Sequence, residues 1–118
     1  MRTFRELEVH KKHFFDMAED FIKIHIGIYG EYNRDDELIE KMIKNGQEIE
    51  HRQEKIKELI EQLHNPIIKA IITERIINGT TWERVADKTG YSLAHVQRLY
   101  KNSLSSPQIK NIMECLEF

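Results

Sequence analysis

The chain alternates long charged stretches with narrow apolar stripes, and the spacing of those stripes is helical. Over residues 3–29, Phe4, Leu7, Phe14, Ala18, Phe21 and Ile28 fall on a three-and-four spacing that Lys11 and His25 interrupt. Phe15, Ile22, Ile26 and Tyr29 widen the stripe, and Gly30 stands where such a helix would end. Inside this segment "IKIHIGI" (22–28) alternates strictly, which is strand periodicity. A strand needs a partner, and no second alternating run follows. Helix is therefore the expectation, with Gly27 costing it about 1 kcal/mol relative to Ala.

The polar run "GEYNRDD" (30–36) predicts a turn in which Asn33 or Asp35 caps the next helix. From 36 to 64 the positions Leu38, Met42, Asn45, Ile49, Arg52, Ile56, Leu59 and Leu63 repeat at the same spacing. One column, Met42, Ile49, Ile56 and Leu63, is apolar throughout; Asn45 and Arg52 break the other. Almost four heptads of this kind fit either a hairpin with the first helix or a coiled-coil seam between copies. On the second reading Leu38, Met42, Ile49, Ile56, Leu59 and Leu63 carry oligomerisation, and a homodimer is expected.

Shorter elements follow. Asn65 and Pro66 open a helix that runs through Ile67, Ile68, Ile71, Ile72 and Ile76 to Gly79, a natural residue for the position after a helix end. Thr80 with Glu83 then reads as a capping box for a short helix ending at Thr89–Gly90. Ser92 caps a further helix to about Leu104. Ser106 and Pro107 open a last amphipathic one carrying Ile109, Ile112, Met113, Leu116 and Phe118. The expected fold is all-α, with a helical arm over 1–64 and a three-helix unit plus short terminal helix over 65–118.

The segment "ERVADKTGYSLAHVQRLY" (83–100) meets the local demands of a helix-turn-helix. Ala86 is small where a second helix must cross, Gly90 tolerates positive φ four residues later, and Val96 returns a β-branched side chain to the core. Val85 and Leu99 complete the inward set, and Trp82 covers an edge. Helical geometry then turns Ser92, Leu93, Ala94, Gln97, Arg98 and Lys101 outward on the reading helix. Gln97 suits adenine and Arg98 suits guanine, while Leu93 and Ala94 suit thymine methyls. Ser92 would meet phosphate with free N–H groups at the helix start. Thr80, Thr81, Arg84 and Lys88 would meet backbone. His95 and Tyr100 fall toward the flank, where packing or a phosphate contact suits them better than base reading.

Charge supports this placement only when it is taken locally. The chain has 18 Lys plus Arg and 20 Asp plus Glu, a formal net charge of −2. Residues 66–110 nevertheless carry Lys69, Arg75, Arg84, Lys88, Arg98, Lys101 and Lys110 against Glu74, Glu83 and Asp87. Attraction to phosphate depends on the field within about 10 Å at 0.1 M salt, so the acidic total is no obstacle.

Residues 74–104, "ERIINGTTWERVADKTGYSLAHVQRLYKNSL", resemble the C-terminal helix-turn-helix of phage-encoded transcriptional regulators of the RinA/ArpU kind. Those in turn resemble region four of bacterial sigma factors. The resemblance rests on Trp82, Glu83, Val85 and Ala86, on Gly90, Tyr91 and Ser92, and on Val96, Arg98, Leu99 and Leu104. Ile76 stands where the related pattern has an aromatic residue. The likeness covers about 40 residues and does not extend to 1–64. It implies a sequence-specific double-stranded DNA-binding regulator of phage or prophage type. The alternatives are a DNA-packaging protein of the small terminase kind and an adaptor docking on RNA polymerase.

Other chemistry finds little footing. His10 and His13 share a helix face, but no carboxylate or cysteine pair completes a metal site. Neither a nucleophile motif nor a phosphate-binding glycine loop is present, so no catalytic residue, cofactor or enzymatic activity is expected. Cys115, the single cysteine, cannot form an internal disulfide, which favours a reducing compartment. The N-terminus is too charged for a signal-peptide core and no apolar run is long enough to span a membrane. A cytoplasmic protein of a bacterial host cell is expected. Runs such as "EIEHRQEKIKE" (48–58) read as solvated helix surface with pairs like Glu48–Arg52.

Overall fold

The computed structural model describes residues 4–29 and 37–117, and all regular structure among them is helical. The order is α1 (Phe4–Tyr29), α2 (Glu37–Glu61), α3 (Pro66–Ile72, prolonged by a π-helical turn over Thr73–Ile77), α4 (Trp82–Thr89), α5 (Leu93–Ser103) and α6 (Pro107–Leu116). Gly30, the turn with Asn33 and Asp35, and Phe118 lie outside the described residues, as do the side chains of His25, Ile28 and Tyr29. The "IKIHIGI" segment is helical. None of the described helices is long and apolar enough to cross a membrane.

Helices α1 and α2 form an antiparallel hairpin. Lys57 lies over the Phe4 ring at 5.5 Å, Gln53 donates to Glu8 Oε1 at 2.7 Å, and Gly46 meets the Phe15 ring. Each pairing descends α2 as it climbs α1. Gly46 is what lets the helices close at Phe15, because a Cβ there would stand 2.7 Å from two ring carbons. Toward the start of α2, Ala18 packs with Ile39 and Met42.

The buried stripe of α2 is Ile39, Met42, Gly46, Ile49, Gln53, Ile56 and Ile60, followed by Leu63. One expected column is therefore right and its companion is displaced by one residue. The second column is Ile39, Gly46, Gln53 and Ile60 rather than Leu38, Asn45, Arg52 and Leu59. Leu38 is 48% exposed and Leu59 is half-buried. Met42, Ile49, Ile56 and Leu63 are covered from within the chain, which removes them as a seam between copies. That expectation took a stripe too narrow to be a core and left out the cover that α1 and α6 supply.

Helix α6 is the element that closes this core. Ile109, Ile112 and Leu116 are 0–1% exposed and pack with Phe4, Leu7, Ile49, Ile56, Ile60, Ile72 and Ile76. Arg52 donates to the Glu117 carbonyl at the end of α6, where the helix dipole favours a cation, and also reaches Glu48 at 3.3 Å. The arm over 1–64 and the unit over 65–118 are thus joined by one hydrophobic cluster, which crosses the boundary expected from the sequence.

Candidate nucleic-acid interface

The α3–α4–α5 segment is built by caps and left-handed glycines. Asn65 Oδ1 accepts from the N–H groups of Ile67 and Ile68, and Pro66 takes the first helical position, as expected. Helix α3 then loosens into its π turn and stops where Gly79 adopts φ 63°. The Thr80 N–H returns to the Glu74 carbonyl at 2.8 Å.

The expected capping box at Thr80 and Glu83 is shifted by one residue. Thr81 is the cap of α4, accepting from the Arg84 N–H. The Thr80 hydroxyl is committed elsewhere, donating to Glu74 Oε2 at 2.7 Å. Glu74 also accepts from Lys88 Nζ, 14 residues further along the chain, a separation that no local sequence spacing signals.

Gly90 ends α4 at φ 77°, with its N–H bonded to the Ala86 carbonyl at 2.9 Å. A residue with a Cβ is strained in that conformation, so the sharp turn into α5 depends on glycine. Ser92 then caps α5 by accepting from the His95 N–H at 3.2 Å. Ile71, Val85, Ala86 and Val96 form the buried centre of the unit, flanked by Ile67, Trp82, Leu99 and Tyr100. Trp82 meets the Tyr100 ring edge-on at 5.0 Å, and Arg75 covers Trp82 at 4.3 Å while donating to the Thr80 carbonyl at 2.8 Å. Tyr100 touches both core clusters and is a packing residue.

With Val96 at 0% exposure, helical periodicity leaves the opposite side of α5 to solvent. Ser92, Leu93, Ala94, Gln97, Arg98 and Lys101 are all exposed, and Leu93 retains 39% of its surface. On α4 and its cap, Thr81, Arg84 and Lys88 are exposed and Thr80 is half-buried. The residues expected at the interface are therefore all exposed or half-buried on α4, α5 and their caps.

The basic side chains of α3 to α5 are not equally available. Lys88 is ion-paired with Glu74 at 3.0 Å, and Lys69 with Glu61 at 3.0 Å across the α2–α3 corner. Arg75 is occupied by Trp82. Hydrogen bonds from Thr80 and then Lys88 hold the Glu74 carboxyl below the usual carboxylate range, against the smaller opposing effect of burial. Arg84, Arg98 and Lys101 remain as exposed cations on α4 and α5.

Arg98 is also less isolated than the sequence suggests. Its Nη2 lies 2.9 Å from His95 Nδ1, and His95 meets the Tyr91 ring edge-on at 4.9 Å. The i,i+3 spacing of His95 and Arg98 was the available signal for this contact. Among the described residues no three His, Cys, Asp or Glu side chains converge as metal ligands. No protein-family model, curated protein or solved structure matches the chain.

Proposed function

We propose that the chain binds double-stranded DNA in a sequence-specific manner and regulates transcription, inserting α5 into the major groove. One observation carries this reading. Two capped helices meet at a left-handed glycine, and the second turns Val96 fully inward while leaving Leu93, Ala94, Gln97, Arg98 and Lys101 exposed. A groove-entering helix needs this mixture of fork donors, amides and small apolar groups.

Arg98 and Gln97 are the base readers on this reading, for guanine and adenine. Leu93 and Ala94 meet thymine methyls, and Thr81, Ser92, Arg84 and Lys101 meet phosphate. Lys88 divides between Glu74 and the backbone, and Thr80 acts through Glu74. The resemblance of 74–104 to regulators of the RinA/ArpU kind adds the setting, a phage or prophage regulator in a bacterial cytoplasm. A homodimer on two half-sites about one helical turn apart is the usual arrangement for such modules. Here it has to use surface other than the apolar column of α2.

The test is selection of duplexes from random DNA, followed by competition titration of selected against random sequence. With about three phosphates neutralised per copy, by Arg84, Lys101 and in part Lys88, log K should fall against log salt with a slope of about −3 for each copy bound. Arg98→Ala and Gln97→Ala should each cost about 1–3 kcal/mol of discrimination and leave the fold unchanged. Affinity that stays flat between about 50 and 200 mM salt rejects the reading.

A further inference from the structure

A guanidinium only donates hydrogen bonds, so in the 2.9 Å contact with Arg98 Nη2 the His95 Nδ1 is the lone-pair nitrogen. A neutral ring then carries its proton on Nε2. The imidazole has one further neighbour, the Tyr91 ring, which stands against it at 4.9 Å and 63°. The backbone N–H of His95 is tied to the Ser92 hydroxyl at 3.2 Å, which fixes the main chain from which the ring projects. His95 is half-buried while Arg98 is exposed, so the better-anchored partner restrains the freer one.

We infer that His95 is a positioning residue for Arg98, holding the guanidinium as a pre-set fork for a guanine edge. This rests on the DNA-reading role given to α5 above. An exposed arginine samples many rotamers, and ordering it at binding costs entropy. Occupying one Nη2 proton on His95 removes part of that freedom before DNA arrives. The guanidinium keeps its Nη1 and Nε protons and the second on Nη2. A phosphate contact has less use for such an arrangement, since a mobile point charge serves it; bidentate reading of a base edge needs orientation. The aromatic Tyr91 matters here as the support that keeps the imidazole ring from turning away.

The inference separates orientation from charge. His95→Ala removes no Lys, Arg, Asp or Glu side chain, so the salt slope should not move. Discrimination at the guanine read by Arg98 should fall about fivefold, a fraction of what a bidentate pair supplies. His95→Asn places an acceptor oxygen near the Nδ1 position and should restore most of that loss. In an Arg98→Ala background, His95→Ala should have no further effect. Circular dichroism of the full-length variants checks that each is folded.

Ring-nitrogen NMR of the free protein in alkaline buffer gives a readout independent of DNA. The wild type should favour the Nε2–H tautomer, and Arg98→Ala should weaken that preference. If His95→Ala leaves guanine discrimination intact while Arg98→Ala abolishes it, the positioning role is wrong. If His95→Ala tightens binding, the pair holds Arg98 away from DNA and the inference is overturned in sign. A wild type with no sequence preference overturns the DNA-reading proposal and the role of His95 with it, even where the NMR pairing stands.

Discussion

Glu74 Oε2 sits 3.0 Å from Lys88 Nζ and 2.7 Å from the Thr80 hydroxyl, so a single carboxylate oxygen ties the π turn after α3 to both ends of the α4 segment. The tie sets where α4 lies relative to α3, and through the Gly90 turn it sets the direction of α5. Glu74→Gln keeps the shape but weakens both bonds, and should cost about 1 kcal/mol of stability near neutral pH. The folded-state pKa of Glu74 is depressed, so its contribution is present above the ordinary glutamate value and is lost as pH falls through the lower folded value. Denaturant titrations of wild type and variant should therefore converge in acid. A gap that persists or widens there assigns the stabilisation to another group.

The same substitution should act with opposite sign at two glycines. At Gly90 an added Cβ meets nothing within 4 Å, but φ is 77°, so Gly90→Ala should destabilise by about 1 kcal/mol through backbone strain alone. At Gly27 the space is equally open and the backbone is helical, so Gly27→Ala should stabilise by roughly 0.5–1 kcal/mol. Melting curves of the two variants settle the pair of signs. Equal shifts in one direction would contradict the local backbone reading.

Gly46 is a third case, governed by contact. Its Cβ would fall 2.7 Å from Phe15, so Gly46→Ala should lose about 1–3 kcal/mol even though alanine is the better helix former. Combining it with Phe15→Leu should recover part of the loss, because the ring is the obstacle. Additive losses in the double variant would place the cost in the α2 backbone.

The helices and the turn between α4 and α5 were legible because their signals are local. Asn65–Pro66, Gly79, Gly90 and Ser92 act within a few residues of where they stand, and all four do what their positions suggested. Thr80 misled because two adjacent threonines offer the same cap, and only Glu74, folded back from α3, decides between them. The α2 stripe misled for a related reason. Columns 38–45–52–59 and 39–46–53–60 fit one heptad frame about equally well, and the second contains a glycine and a glutamine that look unfit for a core. Gly46 is buried for closeness to Phe15, and Gln53 because Glu8 satisfies its amide. Which face wins is a property of α1 and α6, not of α2. The exposed residues of α4 and α5 could be named from periodicity, and the i,i+3 spacing allowed a His95–Arg98 contact, but whether the two side chains meet is decided by their rotamers.

The last expectation follows from the core that α6 completes. Ile56 is 0% exposed in the cluster that holds Phe4 and Leu7 of α1, Ile72 and Ile76 of the α3 segment, and Ile109, Ile112 and Leu116 of α6. Trp82, the single tryptophan, belongs to the other cluster, in the helix-turn-helix, and the two clusters share Tyr100. Far-UV circular dichroism weighs the long helices α1 and α2, while tryptophan fluorescence reports the environment of Trp82. If the chain unfolds as one unit, both signals should change together. Ile56→Ala should then shift both by the same amount, about 2–5 kcal/mol, although Ile56 is not in the tryptophan's cluster. A fluorescence transition that stays in place while the dichroism transition moves would show two independent units meeting near residue 65. In that event the α2–α6 contact is an interface between domains, and α6 must owe its helix to something other than the shared core.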